Sequence, residues 1–128
     1  MAMDERQLQQ RGLSLLNQGN PEEALPALKK ATELDPNLVP AWSGKGDALR
    51  TLGRHEEALE AYDRARELDP GHAPAWHGRG MVLRDMEEYE SALEEFNRAE
   101  DLDPTPALPL YGKSLVLSAL NRSEEALD

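Results

Sequence analysis

Large apolar residues recur along this chain at steps of three and four. Trp42, Leu49 and Leu52 lie on one such stripe, and Ala58, Leu59, Tyr62, Ala65 and Leu68 lie on a second. This is the period of a helix that buries one face and leaves the other in water. Between the stripes stands Gly53, suited to the left-handed conformation that closes a helix. The second stripe stops at Pro70, which has no N–H to continue the ladder. Pro40 and Pro74 fall where first helices begin, and there a missing N–H costs little. The pattern predicts first helices at 5–18, 38–51, 72–85 and 107–120. Second helices are predicted at 22–35, 56–69 and 88–103, with a stub at 124–128.

These pairs repeat. Residues 37–70 laid over 71–104 agree at 16 of 34 positions without a gap. Residues 3–36 form an earlier copy with the same Glu-Leu-Asp-Pro close, and 105–128 begin another. The array 1–128 is therefore read as three full repeats and a truncated fourth. A pair of short amphipathic helices cannot bury its stripe alone, so the expected fold is all-α, an α-solenoid of stacked antiparallel helix pairs.

Three places depart from the pattern. Glu87 occupies the column of Gly19 and Gly53, so a residue with a side chain is expected to adapt to the turn or to store strain there. Pro26 lies inside the second helix of the first repeat, where a kink or a late helix start is expected. At the C-terminal end, a stub at 124–128 is far too short to cover the helix carrying Leu110, Leu115, Val116, Leu117 and Leu120. The segment therefore reads as a piece of a longer protein that self-associates through this end.

The repeats resemble the tetratricopeptide repeat (TPR) family. Its alternation of large and small residues stands as Trp42, Gly46, Leu49, Ala58, Tyr62, Ala65 and Pro70, and again as Trp76, Gly80, Leu83, Ala92, Phe96, Ala99 and Pro104. The first repeat is weaker, with Leu8, Gly12, Leu15, Ala24, Leu28, Ala31 and Pro36; the last keeps Leu110, Ser114, Leu117 and Ala126. The resemblance implies a right-handed solenoid whose first helices line a concave groove. Gly46 and Ala58 are expected to let paired helices approach, and Trp42 and Tyr62 to fill the gaps between pairs.

Charge adds a second layer. With 25 acidic and 14 basic residues the net charge is −11, which opposes binding to nucleic acid. The first helices carry +1 each, whereas the second helices carry −2, −4 and −6 and the stub −3. If the first helices line the groove, a mildly basic groove sits inside an acidic shell and favours an acidic peptide or helix from another protein. Acidic outer helices also keep a protein soluble, and that alone accounts for the split.

Carrying the family's groove columns across at 34-residue spacing names the candidate partner-binding residues. One column is Gln9, Ser43, His77 and Tyr111; the next is Leu13, Asp47, Met81 and Leu115; a third is Leu16, Arg50, Arg84 and Ser118. Arg50 and Arg84 suit anionic groups, His77 and Tyr111 stacking or hydrogen bonds, and Met81 and Leu115 an apolar floor. Gln10, Gly44, Gly78 and Gly112 run between them, either leaving that floor bare or permitting tight packing. Some family members grip the C-terminal carboxylate of a chaperone with a lysine, arginine and asparagine clamp. Here the matching positions read Gln9, Leu13, Gly44, Pro74 and Gly78, or one repeat later Ser43, Asp47, Gly78, Leu108 and Gly112, without a cation or an asparagine. A further column, Arg11, Lys45, Arg79 and Lys113, is either a ladder for acidic groups or a set of stems covering apolar packing, and the second is preferred.

The sequence offers no recognisable catalytic constellation, so the chain is read as a scaffold and not as an enzyme. His72 and His77 have no convergent ligands, there is no cysteine, and Gly-Lys-Gly-Asp-Ala lies within a predicted helix, so no metal or cofactor is expected. No apolar run is long enough to span a membrane and the polar start is not a signal peptide, so the chain is placed in the cytoplasm without membrane insertion. Two alternatives stand beside the groove: a self-association module, and a targeting arm of a larger protein with an enzymatic domain elsewhere.

Overall fold

The computed structural model describes residues 2–103, 113 and 115–121, which are helical or connecting, with no strand among them. Six helices follow in order: α1 (Glu5–Asn17), α2 (Pro21–Leu34), α3 (Val39–Thr51), α4 (His55–Leu68), α5 (Ala73–Asp85) and α6 (Tyr89–Leu102). Each bound falls within one residue of its predicted position. Residue 113 and residues 115–121 are also helical. The stub at 124–128 and Tyr111 lie outside the described residues.

The helix ends follow from residue chemistry. At the start of α1, the Asp4 side chain accepts a 2.8 Å bond from the Gln7 N–H while the Gln7 side chain accepts one of 2.9 Å from the Asp4 N–H. Two donors that the helix leaves free are thereby satisfied. At the end of α3, the Gly53 N–H reaches the Arg50 carbonyl at 3.0 Å and the Arg54 N–H reaches the Leu49 carbonyl at 2.9 Å. This closure needs a left-handed residue, and Gly53 supplies it with φ +78°. The turn after α5 makes the same bonds, Glu87 to Arg84 at 2.9 Å and Glu88 to Leu83 at 2.8 Å. Glu87 holds φ +64° there, so the turn is kept and the strain is stored.

In α2, Pro21 occupies the first turn and the helix continues through Pro26 to Leu34. The late start expected from Pro26 is not adopted. That proline lies early enough that only one bond, to the Glu22 carbonyl at the exposed first turn, is lost to it.

The chain divides into two compact units, 1–70 and 71–128. In the first, α1 packs on α2 and α3 on α4, with α3 also resting on α2 and α1. Ala24, Leu28, Ala31 and Ala41 form a closed cluster surrounded by Leu8, Leu13, Leu15, Leu16 and Leu38. In the second unit α5 packs on α6, and Val82, Phe96, Ala99 and Val116 are fully buried.

In the pairs α3–α4 and α5–α6 a ring lies directly on a bare backbone. Tyr62 is fully buried, and a Cβ on Gly46 would sit 2.6 to 2.8 Å from its ring atoms. Phe96 lies on Gly80 in the same way, with distances of 2.7 to 3.1 Å. Tyr62 was expected between pairs, but its ring seats inside its own pair because the missing Cβ opens a slot there. Ala58 and Ala65, fully buried beside it, keep α4 close enough to use that slot.

Two substitutions test these contacts. Gly46→Ala pushes a methyl into the Tyr62 ring and is expected to cost about 2 kcal/mol of unfolding free energy, read from urea denaturation. Glu87→Gly relieves the left-handed strain and is expected to stabilise by about 1 kcal/mol, whereas Gly53→Ala costs about as much. Hydrogen exchange in the turn at 86–88 slows in Glu87→Gly if the strain is real.

Candidate functional site

The candidate columns occupy i, i+4 and i+7 positions, which share one face of a helix. On α1 these are Gln9, Leu13 and Leu16, on α3 Ser43, Asp47 and Arg50, and on α5 His77, Met81 and Arg84. Leu115 and Ser118 lie in the helical segment 115–121, half-buried and exposed respectively. Tyr111, the stacking candidate of the first column, lies outside the described residues.

In the first unit the face is built from below. Tyr62 enters from α4 and its hydroxyl donates a short hydrogen bond to Asp47 Oδ1. Arg50 lies one turn further along α3, and its positive charge acts on the same hydroxyl. Burial, and then the Asp47 charge, hold the Tyr62 hydroxyl far above the usual tyrosine range, so it remains a donor. Asp47 itself is exposed to water. Crowding by the surrounding protein pushes its carboxyl up, while the Tyr62 bond and the Arg50 charge pull it back. The result is an anion fixed by a buried ring, with a cation one turn away.

The rest of this face is less available. Ser43 is buried and its hydroxyl donates to the Pro40 carbonyl at 3.2 Å, so it presents little to a partner. Leu13 packs on the α2–α3 core, and a Cβ at Gly44 would lie 2.7 Å from Leu13 Cδ2 and 3.3 Å from Leu28 Cδ1. Of the two readings of the glycine column, Gly44 obeys tight packing: its floor is covered by the preceding helix.

In the second unit the same columns carry different chemistry. Phe96 has no hydroxyl and the Asp47 column holds Met81, so both positions turn apolar together. The His77 ring tilts at 48° to Phe96 with centroids 5.5 Å apart, a favourable aromatic contact. Arg84 is half-buried and pairs with Asp85 at 2.8 Å.

The recurring cations Lys45, Arg79 and Lys113 serve structure first. Arg79 reaches Glu95 of α6 at 2.8 Å, Lys113 reaches Glu100 of α6 at 3.2 Å, and the Lys45 ammonium stands 5.1 Å above the Trp42 ring. Trp42 in turn donates from Nε1 to the Pro36 carbonyl at 2.8 Å. Two of the first-helix cations are thus directed at acidic second helices, which lowers the positive charge expected on the candidate face. The Tyr62–Asp47 link was missed by single-column reading. Its signal is the joint change of two columns, Leu13 with Leu28, Asp47 with Tyr62, and Met81 with Phe96.

Among the described residues, no group of three or more His, Asp or Glu side chains is placed to hold a metal ion, and no helix is long and apolar enough to cross a membrane.

Comparison with known proteins places this geometry. Tetratricopeptide repeat models match residues 10–73 and 73–106. The crystal structure of YrrB, a TPR protein with an unusual peptide-binding site, is similar with a TM-score of 0.81 at 33% identity, over 88% of this chain and 58% of its own. This chain therefore spans less than two thirds of that structure. The Sgt2 TPR domain from Aspergillus fumigatus aligns with a TM-score of 0.87 at 19% identity, covering 97% of this chain and 83% of that one. The first TPR of Spaghetti (RPAP3) bound to HSP90 peptide SRMEEVD gives 0.84 at 20% identity, covering 92% and 94%. The latter two establish the shared all-α helical-repeat fold. No curated protein matches the sequence. With two family matches that together cover residues 10–106, the chain belongs to the tetratricopeptide repeat family.

Proposed function

We propose that this chain is a non-catalytic protein-interaction scaffold that holds a peptide or a helix of another protein against its first-helix columns. One observation carries the reading: Asp47, one turn from Arg50 on α3, is held by a hydrogen bond from a fully buried Tyr62. Polar groups held in place by a packed core lose little freedom when a partner arrives. Peptide binding by YrrB and by the first TPR of RPAP3 supports the same use of the frame. In the first unit acidic groups of a partner meet Arg50; in the second they meet Arg84, and apolar ones meet Met81 and Leu115. In the first unit the Asp47 charge adds a requirement for a donor beside Arg50, either a backbone N–H or a cationic side chain.

The peptide recognised differs from the chaperone tail. The clamp positions hold Gln9, Leu13, Gly44, Pro74 and Gly78, and Gly44 is covered by Leu13. A carboxylate arriving there finds no cationic donor among them.

Peptides selected from a random display library against this chain test the site. Their affinity is expected to fall by about tenfold or more in Arg84→Glu combined with Met81→Ala. Selected peptides that bind the double variant as tightly as the parent overturn the reading.

A competing reading is self-association through the segment 115–121, where Leu117 remains 46% exposed beside the fully buried Val116. Sedimentation equilibrium separates the two. A mass that rises with concentration and returns to the monomer value in Leu117→Glu supports association, and a constant monomer mass removes it.

A further inference from the structure

The first unit contains a second recess, away from the first-helix columns. It encloses about 350 Å³ between α2, α3 and the start of α4, near the lower end of the range for ligand pockets. Leu25 and Pro26 from α2 and Leu49 from α3 give it an apolar floor. Above that floor stand Lys29 from α2 and Lys45 from α3, while Arg54 and Glu57 close the α4 side.

Its charges are unevenly satisfied. Arg54 grips Glu57 in a two-point pair, Nη2 to Oε2 at 2.6 Å and Nε to Oε1 at 3.1 Å, so these two cancel. Among the described residues, neither the Lys29 nor the Lys45 ammonium has an ion-pair partner. Two cations without a carboxylate partner, Lys45 resting only on the Trp42 ring, thus flank one cleft in a chain of net charge −11. We propose that this cleft binds an acidic peptide segment of another protein, with a carboxylate bridging Lys29 and Lys45 and the neighbouring aliphatic side chain seated on Leu25, Pro26 and Leu49.

Three observations support this occupant. Burial, and next the Lys29 charge, hold the Lys45 ammonium below the usual lysine range, with Glu33, Glu57 and Glu60 acting against them from a distance. An anion between the lysines replaces the lost hydration and removes the repulsion. Part of this lining is peculiar to the first unit: 34 residues on, Pro26, Lys29 and Arg54 become Glu60, Asp63 and Glu88, whereas Leu25, Lys45 and Leu49 recur as Leu59, Arg79 and Leu83. The interior proline, which costs a helix a hydrogen bond, contributes a rigid apolar wall with no N–H to desolvate. A nucleic acid is opposed by the surrounding acidic field, whereas a short peptide engages only the cleft.

The site is independent of the first-helix face, and one titration distinguishes them. The probe is the blocked tetrapeptide acetyl-Glu-Glu-Leu-Asp-amide, added to the whole isotopically labelled chain and followed by amide chemical shifts. Shifts are expected at 25–29, 45–49 and 54–57, together with a rise of the Lys45 pKa. The counterpart with Gln and Asn in place of the acids is expected to bind about tenfold more weakly. Lys29→Glu, at an exposed position that leaves the core untouched, and Lys45→Gln are each expected to weaken the acidic peptide similarly, while Arg84→Glu leaves it unchanged. Shifts confined to residues 47, 50, 81 and 84, equal binding of the neutral peptide, or no shifts at millimolar peptide overturn the proposal.

Discussion

A missing methyl group sets the geometry of each pair. Where Gly46 and Gly80 lack a Cβ, an aromatic ring from the second helix lies directly on the backbone of the first, and Gly12 admits Leu28 in the same manner. The helices come close because of that slot, and the alanines at 24, 58 and 92 are fully buried because the helices are close. Side-chain volume removed on one helix is replaced by the ring of the other, so density is conserved within a pair. A substitution on either side is therefore felt across the pair and not only where it is made.

This packing also creates polarity at the surface. The ring that fills the slot over Gly46 is long enough for its oxygen to reach the face of α3 that carries the candidate columns, where Asp47 receives it and the Arg50 charge acts on it. In the next pair the phenyl ring stops short, the His77 ring lies against it, and Met81 stands where Asp47 stood. One tyrosine oxygen thus accompanies an aspartate where the next pair, with a phenyl ring, carries a methionine on the same frame. Repeats can vary what they present while conserving how they pack, because the variable atom lies at the tip of the packing residue.

Helix existence, pairing and nearly every boundary were legible in the order of residues, because caps and stops act within four or five positions. The left-handed Glu87 was legible for the same reason: its column is set by the turns at Gly19 and Gly53. Contacts between helices were harder. The seat of Tyr62 inside its pair depends on which side of the ring meets a backbone, and a period of three or four residues does not contain that information. Gly44 was ambiguous until Leu13 was seen above it. Lys29 and Lys45 belong to successive repeats, so their neighbourhood is a property of stacking, invisible to a reading that compares equivalent positions. The first-helix charge was counted correctly, but Arg79 and Lys113 lean toward α6, a direction that composition does not record.

The three closing turns use the same hydrogen bonds, yet only one of them is held by a residue that pays for the conformation. Glycine at 19 and 53 enters the left-handed region freely, and glutamate at 87 does not. A chain of near-identical modules is thereby graded: its joints resist opening to different degrees although their contacts look alike. Thermal fluctuation selects among such joints by their cost, so the turn between α5 and α6 opens more readily than those at Gly19 and Gly53. A repeat protein can in this way encode an order of unfolding in one backbone angle, without altering any residue of its core.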